Sequence, residues 1–139
     1  RSTTGFSFAS SWYDNNIFQI TKIGDSVTIY NAPAEPRIVS VASTATLTVS
    51  SSTTDQSIIT AQAEALTIAA PTGTPVEGQK LIIRIKDDGS ARAITFNAIF
   101  RALGVTLPTT TVASKTTYLG LVYNSTDTKW DIVATKTEA

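Results

Sequence analysis

The sequence predicts an all-β protein, an antiparallel β-sandwich of jelly-roll-like arrangement with an extended N-terminal arm. Three observations lead to this prediction. Valine, isoleucine and threonine, which strands favour, recur throughout the 139 residues. Several segments alternate apolar and polar residues with a period of two. Turn-forming residues separate these segments at intervals of about 8–12 residues, a spacing typical of sandwiches and jelly rolls.

The first part of the chain, residues 1–37, is rich in aromatic side chains and is predicted to be an arm or docking segment. Residues 17–23 and 26–30 are predicted to be two strands joined by a hairpin turn. The arm either adds strands to the main domain or packs on another chain, because aromatic residues dominate interface anchoring. In the second case, the contacts with a neighbouring chain that we expect are Phe6, Phe8, Trp12, Tyr13, Phe18 and Ile20.

A connector with two prolines, residues 31–36, separates the arm from a β-sandwich domain that we place at residues 38–139. Residues 44–49, 57–61 and 65–69 are predicted strands, and residues 62–64 have room for one helical turn. No repeat period of about 20–50 residues is visible, so a solenoid or propeller is not expected.

The clearest hairpin signal lies in residues 78–100, which we predict to form the central hairpin of the domain. Alternation over residues 81–86 predicts that 81, 83 and 85 face the core. Residues 87–90, Asp-Asp-Gly-Ser, form the predicted turn, and residues 91–97 the returning strand. The basic residues Arg84, Lys86 and Arg92 either line a solvated face or meet acidic groups of a neighbouring subunit.

The last third of the chain contains a second hairpin signal. Residues 98–103 fit either a strand or a short helix. Residues 117–123 and 129–134 are predicted strands, joined by the loop at residues 124–128.

The composition argues against several functions. Without cysteine, histidine or methionine, the chain lacks disulfides, thiolate ligands and the commonest general base. A net charge of +0 argues against nucleic-acid binding and electrostatic membrane binding. No apolar run is long enough for membrane insertion. The chain begins at Arg1 with no signal-peptide pattern, and we expect it to be a processed or partial piece of a longer chain.

No constellation of residues predicts a catalytic, cofactor or metal site. The acidic turn at residues 87–88 lacks the alternating oxygens and distal acid of a calcium loop. The pair Asp127 and Asp131 has nothing in the sequence that would position it for glycosidase chemistry. Serine and threonine are abundant, but none has a partner that would activate it. We therefore expect the protein not to be an enzyme.

From about residue 44 to 134 the chain resembles a β-rich terminal domain of tailed-bacteriophage structural proteins, such as tail fibres and head fibres. Four segments carry the resemblance: residues 65–71 (ALTIAAP), 78–101, 104–108 (GVTLP) and 118–133. The resemblance implies a virion location and a role as a fibre, appendage or capsid decoration subunit. It further implies a homo-oligomer, commonly a trimer, with contacts to other capsid or tail proteins and to the host surface.

The alternative function is a carbohydrate-binding module. Exposed aromatic rings stack on sugars, and loop amides bond to sugar hydroxyls. Trp130 and Asn124 are the candidate glycan contacts, with Tyr118 beside Trp130 as a stacking platform, although strand spacing favours a core position for both rings. Asn124 also begins an Asn-Ser-Thr glycosylation pattern, which a plain turn explains equally well.

Overall fold

The structure is a computed structural model that describes residues 18–23, 26–31 and 35–139. The chain divides into two compact units, Arg1–Glu35 and Pro36–Ala139. Every regular element in the described residues is a β-strand, which confirms the all-β class. None of these residues forms a helix long and apolar enough to cross a membrane.

The first unit contains one described hairpin. Strands β1 (Phe18–Ile23) and β2 (Ser26–Asn31) pair antiparallel, with Phe18 opposite Asn31 and Ile23 opposite Ser26. The two strands predicted for the arm, and their pairing, are confirmed.

The second unit consists of a six-stranded and a three-stranded sheet. The larger sheet has the order β3-β5-β7-β10-β11-β9, and the smaller one β4-β6-β8. The strands are β3 (Ile38–Val41), β4 (Thr46–Leu47), β5 (Gln56–Gln62), β6 (Leu66–Ile68), β7 (Lys80–Asp87), β8 (Ile94–Phe96), β9 (Phe100–Ala102), β10 (Thr116–Asn124) and β11 (Lys129–Thr137).

Three successive turns of the chain each place one strand in each sheet. Strands β3, β5 and β7 are parallel to one another, and so are β4, β6 and β8. We term these six strands the parallel stack. Ile38 pairs with Gln56, 18 residues further on, whereas Gln56 pairs with Ile82, 26 residues further on. Turns of unequal length leave no fixed period in the sequence. The absence of such a period therefore did not exclude solenoid-like stacking.

The predicted central hairpin is not formed. Strand β7 pairs with β5 and β10, whereas β8 pairs with β6 in the other sheet, so the segment between them is a corner. Antiparallel pairing in this unit joins β7 to β10 and β10 to β11, and the remaining strand pairs are parallel. The six-stranded sheet is therefore mixed and the three-stranded sheet is parallel. This differs from the antiparallel, jelly-roll-like pairing that the sequence predicted.

Predictions that depend on local sequence agree better with the structure. Strands β10 and β11 form the second hairpin, with a register shift between Gly120 and Leu121. The ambiguous segment at residues 98–103 contains strand β9, and residues 62–64 form no helical turn.

The two sheets enclose one apolar core. On β7, residues 81, 83 and 85 are buried, as their alternation predicted. Burying one such side chain contributes about 1.5–3 kcal/mol relative to leaving it exposed. Both sheets supply the cluster, which comprises Leu47, Val49, Ile59, Leu66, Ile68, Leu81, Ile83, Ile85, Ile94, Phe100, Leu119, Leu121, Trp130 and Ile132.

Candidate functional site

The predicted arm contacts are only partly within the described residues. Phe6, Phe8, Trp12 and Tyr13 lie outside them, and for Phe18 and Ile20 the structure gives only their places on β1. Their role as subunit or virion contacts therefore remains a prediction.

The two glycan candidates have structural positions. Trp130 is 0% exposed, and its ring lies 5.2 Å from that of Tyr123, so the indole offers no surface to a sugar. Asn124 holds the hairpin loop: its amide donates to the Asp127 carboxylate (3.3 Å), and its Oδ1 accepts from the Asp127 N–H (3.1 Å). The proposed contact between Trp130 and a glycan is thus corrected, because this ring belongs to the core.

Tyr118, by contrast, lies on the face of the six-stranded sheet that points away from the core, termed here the outer face. It is 43% exposed and stands directly opposite Arg84 on one side and Lys136 on the other. In the adjacent row, Thr116 is opposite Lys86. The sequence favoured a core position for Tyr118, but its alternation with buried Thr117 and Leu119 places it outside.

Cations on the outer face differ in their partners. Lys86 Nζ donates to the Ser114 carbonyl (2.7 Å) and lies 3.5 Å from the Glu138 carboxylate. Hydrogen bonds from Thr116 hold the pKa of Glu138 below its usual value. The side chains of Arg84 and Lys136 form no hydrogen bond or ion pair with another described residue. The face therefore combines an exposed phenol with an excess of positive charge.

The edge of the six-stranded sheet at β3 is apolar on both sides. Val39 lies opposite Ser57, which in turn lies opposite the core residue Ile83. Val39 is therefore on the core side of the sheet, yet it is 47% exposed. Ile38 is on the opposite side and is 54% exposed. No other strand of the described residues pairs with β3 beyond β5.

Backbone groups are also available along this edge. The Arg37 carbonyl accepts from the Gln56 N–H (3.1 Å), and alternate residues of a strand direct their backbone groups to opposite sides. Ile38 and Ser40 therefore present their N–H and C=O groups to the free edge. An Arg37–Asp55 ion pair of 2.6 Å fixes the start of the strand and lowers the pKa of Asp55 through hydrogen bonds from the guanidinium.

Strand β4, at the same end of the parallel stack, is protected. Its Thr46 carbonyl accepts a hydrogen bond from the Thr44 hydroxyl (2.8 Å), and the same Thr44 oxygen accepts one from the Thr46 N–H (3.3 Å). Only β3 thus has an apolar, unprotected edge at this end of the described stack.

Two sets of contacts around the buried aspartates Asp87 and Asp131 hold the fold together. Burial raises the pKa of Asp87, but hydrogen bonds from Thr111, Gly89 and Ser114 outweigh this and lower it. Arg101 contacts Asp131 at 2.7 Å and Asp127 at 2.8 Å, and its hydrogen bonds lower the pKa of Asp131.

Within the described residues, no three acidic side chains lie together as a metal site would require.

Comparisons with known proteins add no assignment. No protein-family model, no curated protein and no solved structure matches the chain. The open β3 edge and the outer face are therefore the two surfaces of the described residues that have the chemistry to bind another molecule. The edge was missed in the sequence, although the uncharged run Ile38-Val39-Ser40-Val41 is a strand signal that directly follows the connector.

Proposed function

We propose that this chain is a structural subunit of a tailed-phage virion, of the fibre, appendage or capsid decoration type, that acts by assembling with other copies of itself. The open β3 edge is the observation that carries this proposal. The resemblance of residues 44–134 to virion proteins supports the virion location. The same resemblance makes a trimer, and contacts with other capsid or tail proteins, part of the proposal.

Natural sheets protect their edges, because an exposed strand pairs readily with another chain. The opposite edge strand, β9, is only three residues long and carries Arg101 at its centre. Strand β3 has no charged residue and exposes Ile38 and Val39 on its two faces. A β-strand from a second copy would complete its backbone hydrogen bonds and cover both side chains.

The edge supplies only part of the energy for assembly. Full burial of a valine or isoleucine contributes about 1.5–3 kcal/mol, and Ile38 and Val39 are already half-buried. Their remaining gain is smaller than the roughly 4–15 kcal/mol cost of association. We therefore expect further contacts from Ile82 on the outer face and from the aromatic residues of the arm.

The stoichiometry depends on how the edge pairs. Pairing of β3 with β3 across a two-fold axis gives a dimer, because both copies use the same surface. A trimer requires β3 to pair with a different strand of the next copy, because a three-fold ring uses two unlike surfaces. The measured mass therefore distinguishes the two geometries.

Sedimentation equilibrium and native mass measurement of the full chain test the proposal. We expect an oligomer at micromolar concentration, and Val39→Lys to weaken it at least about tenfold, since a charge would have to be buried in the interface. Val76→Lys is the matched control, because Val76 is 65% exposed in a loop far from β3 in sequence. A wild-type monomer at about 100 μM, a concentration at which a complex with a micromolar Kd is nearly saturated, would contradict the proposal. So would equal effects of the two substitutions.

A further inference from the structure

The outer face carries a depression of about 210 Å³ between strands β5, β7 and β10. Drug-sized ligands occupy sites of roughly 300–1,000 Å³, so this depression has room for one ring or a small charged group. Two cations, two hydroxyls and a phenol converge on it. Its lining residues are Ile59, Thr60, Arg84, Lys86, Thr116 and Tyr118.

The charge of the depression selects an anion. Arg84 and Lys86 line it, and Lys136 stands on the far side of Tyr118. Among the carboxylates of the described residues, only Glu138 forms an ion pair with one of these cations, Lys86, at 3.5 Å. Arg84 is half-buried among the strands and has no acidic partner in the described residues, so its planar N–H donors are available to a ligand.

The remaining groups favour a sugar over a bare ion. An exposed aromatic ring provides an apolar surface for the C–H face of a pyranose, and its hydroxyl bonds to sugar oxygens. Thr116 adds a hydroxyl to the lining of the same depression, and Thr60, whose own hydroxyl donates to the Val41 carbonyl (3.3 Å), adds an acceptor oxygen. A nucleic acid is disfavoured, because its backbone requires a basic surface far larger than one depression on a neutral chain.

We propose that Arg84, Tyr118 and Lys86 form a binding site for a sugar that carries a carboxylate. Arg84 pairs with the carboxylate in the two-pronged geometry of a guanidinium, Tyr118 stacks on the ring, and Lys86 supplies a second positive charge. This site specifies the host-surface contact within the proposed function. It uses no residue of the β3 edge, so binding and self-association are measured and fail separately.

Isothermal titration of the full chain tests the site with trigalacturonate, its uncharged methyl ester and inorganic phosphate. Sialyllactose and lactose form a second charged and neutral pair. We expect the two carboxylated sugars to bind at concentrations up to about 10 mM, and the neutral partners to bind at least tenfold more weakly, as a charge-assisted hydrogen bond predicts. Phosphate should displace neither sugar at equal concentration.

Substitutions of the lining residues test whether the sugar binds in this depression. Arg84→Gln should weaken it at least about tenfold, and Tyr118→Leu should weaken it while leaving the thermal midpoint near that of the wild type. Lys80→Gln is the matched control, because Lys80 is an exposed cation at the other end of β7 on the same face. Failure of both carboxylated sugars to bind, equal binding of the esters, or equal loss in Lys80→Gln would each overturn the proposal. Displacement by phosphate at equal concentration would indicate a site for simple anions and would also overturn it.

Discussion

The hydroxyl of Thr111 donates a hydrogen bond to the carboxylate of Asp87, and this contact closes the corner where the chain leaves one sheet for the other. The same carboxylate accepts from the N–H groups of Gly89 (2.8 Å) and Ser114 (3.0 Å). One buried side chain, 3% exposed, thus joins the end of β7 to the segment that precedes β10.

Asp87→Asn should destabilise the protein by about 2–4 kcal/mol, because the amide introduces an NH₂ group where three donors already point at the carboxylate. Urea unfolding at pH 7 measures the loss. Asp88→Asn is the control: Asp88 is exposed and lies 3.5 Å from Arg92, so its loss should stay within about 0.5 kcal/mol. Equal losses at the two neighbouring positions would disprove the role assigned to Asp87.

The prediction of a hairpin turn at residues 87–90 is wrong because the contact that decides this corner is not local in sequence. Aspartate bonded to an N–H two residues later is typical of any turn, and here Asp87 makes that bond to Gly89. The deciding partner, Thr111, lies 24 residues away and leaves no local signal. The faces of β7 were predicted correctly because alternation depends only on neighbouring residues.

The strand pairings likewise divide into those that contiguous sequence predicts and those that it does not. The β10–β11 hairpin was predicted because its loop and both strands are contiguous. The parallel neighbours β5 and β7 are joined through a strand of the other sheet, and nothing in the sequence marks that detour. For the candidate surfaces, sequence identified the cations Arg84 and Lys86 but not the exposure of Tyr118, which depends on its register between two partner strands.

Stability should be constant from about pH 8 to 5 and fall below about pH 4. Histidine is absent, so no side chain of that kind titrates near neutrality. Hydrogen bonds from Arg37 and Arg101 lower the pKa values of Asp55 and Asp131. The hydrogen bonds that Asp87 accepts lower its pKa by more than burial raises it. A lowered folded-state pKa stabilises the fold above the unfolded value, about 3.9, and this contribution disappears as pH falls through the folded value.

Urea midpoints from pH 2.5 to 8 measure this profile. Asp87→Asn should flatten the acid limb, because that position no longer titrates, whereas Asp88→Asn should leave the limb unchanged. A wild-type midpoint that rises between pH 5 and 3 would refute the sign of the predicted dependence.

Trp130→Phe should cost much less than Trp130→Ala. The indole is buried against Tyr123, and its Nε1–H has no hydrogen-bond partner in the described part of the chain. Alanine leaves a cavity worth about 3–5 kcal/mol. Phenylalanine leaves a smaller one and removes an unpaired donor that costs about 1–3 kcal/mol, so we expect a net loss below about 1.5 kcal/mol. Circular dichroism during urea unfolding measures both variants, and similar losses would show that the N–H is satisfied.

Substitution of two glycines with positive φ distinguishes the cost of backbone strain from the cost of a steric clash. Gly73 has φ 84°, and a Cβ there would overlap Ser52 Oγ and lie 3.2 Å from the Ser52 backbone nitrogen. Gly78 has φ 74°, and a Cβ there would meet no atom within 4 Å. Gly78→Ala should therefore cost only the left-handed backbone penalty, about 1–2 kcal/mol, whereas Gly73→Ala should cost about 1–2 kcal/mol more.

A third variant tests the cause of that difference. In a Ser52→Ala background, Gly73→Ala should lose part of its extra cost, because the nearest atom is gone. The rest should persist, since the backbone nitrogen of Ser52 stays close and the Ser51 N–H remains hydrogen-bonded to the Thr72 carbonyl at 2.9 Å. Thermal unfolding of the four proteins gives the coupling between the two positions. Strictly additive losses would mean that Ser52 rotates away freely, and that the contact between the loop and Gly73 does not restrain this turn of the parallel stack.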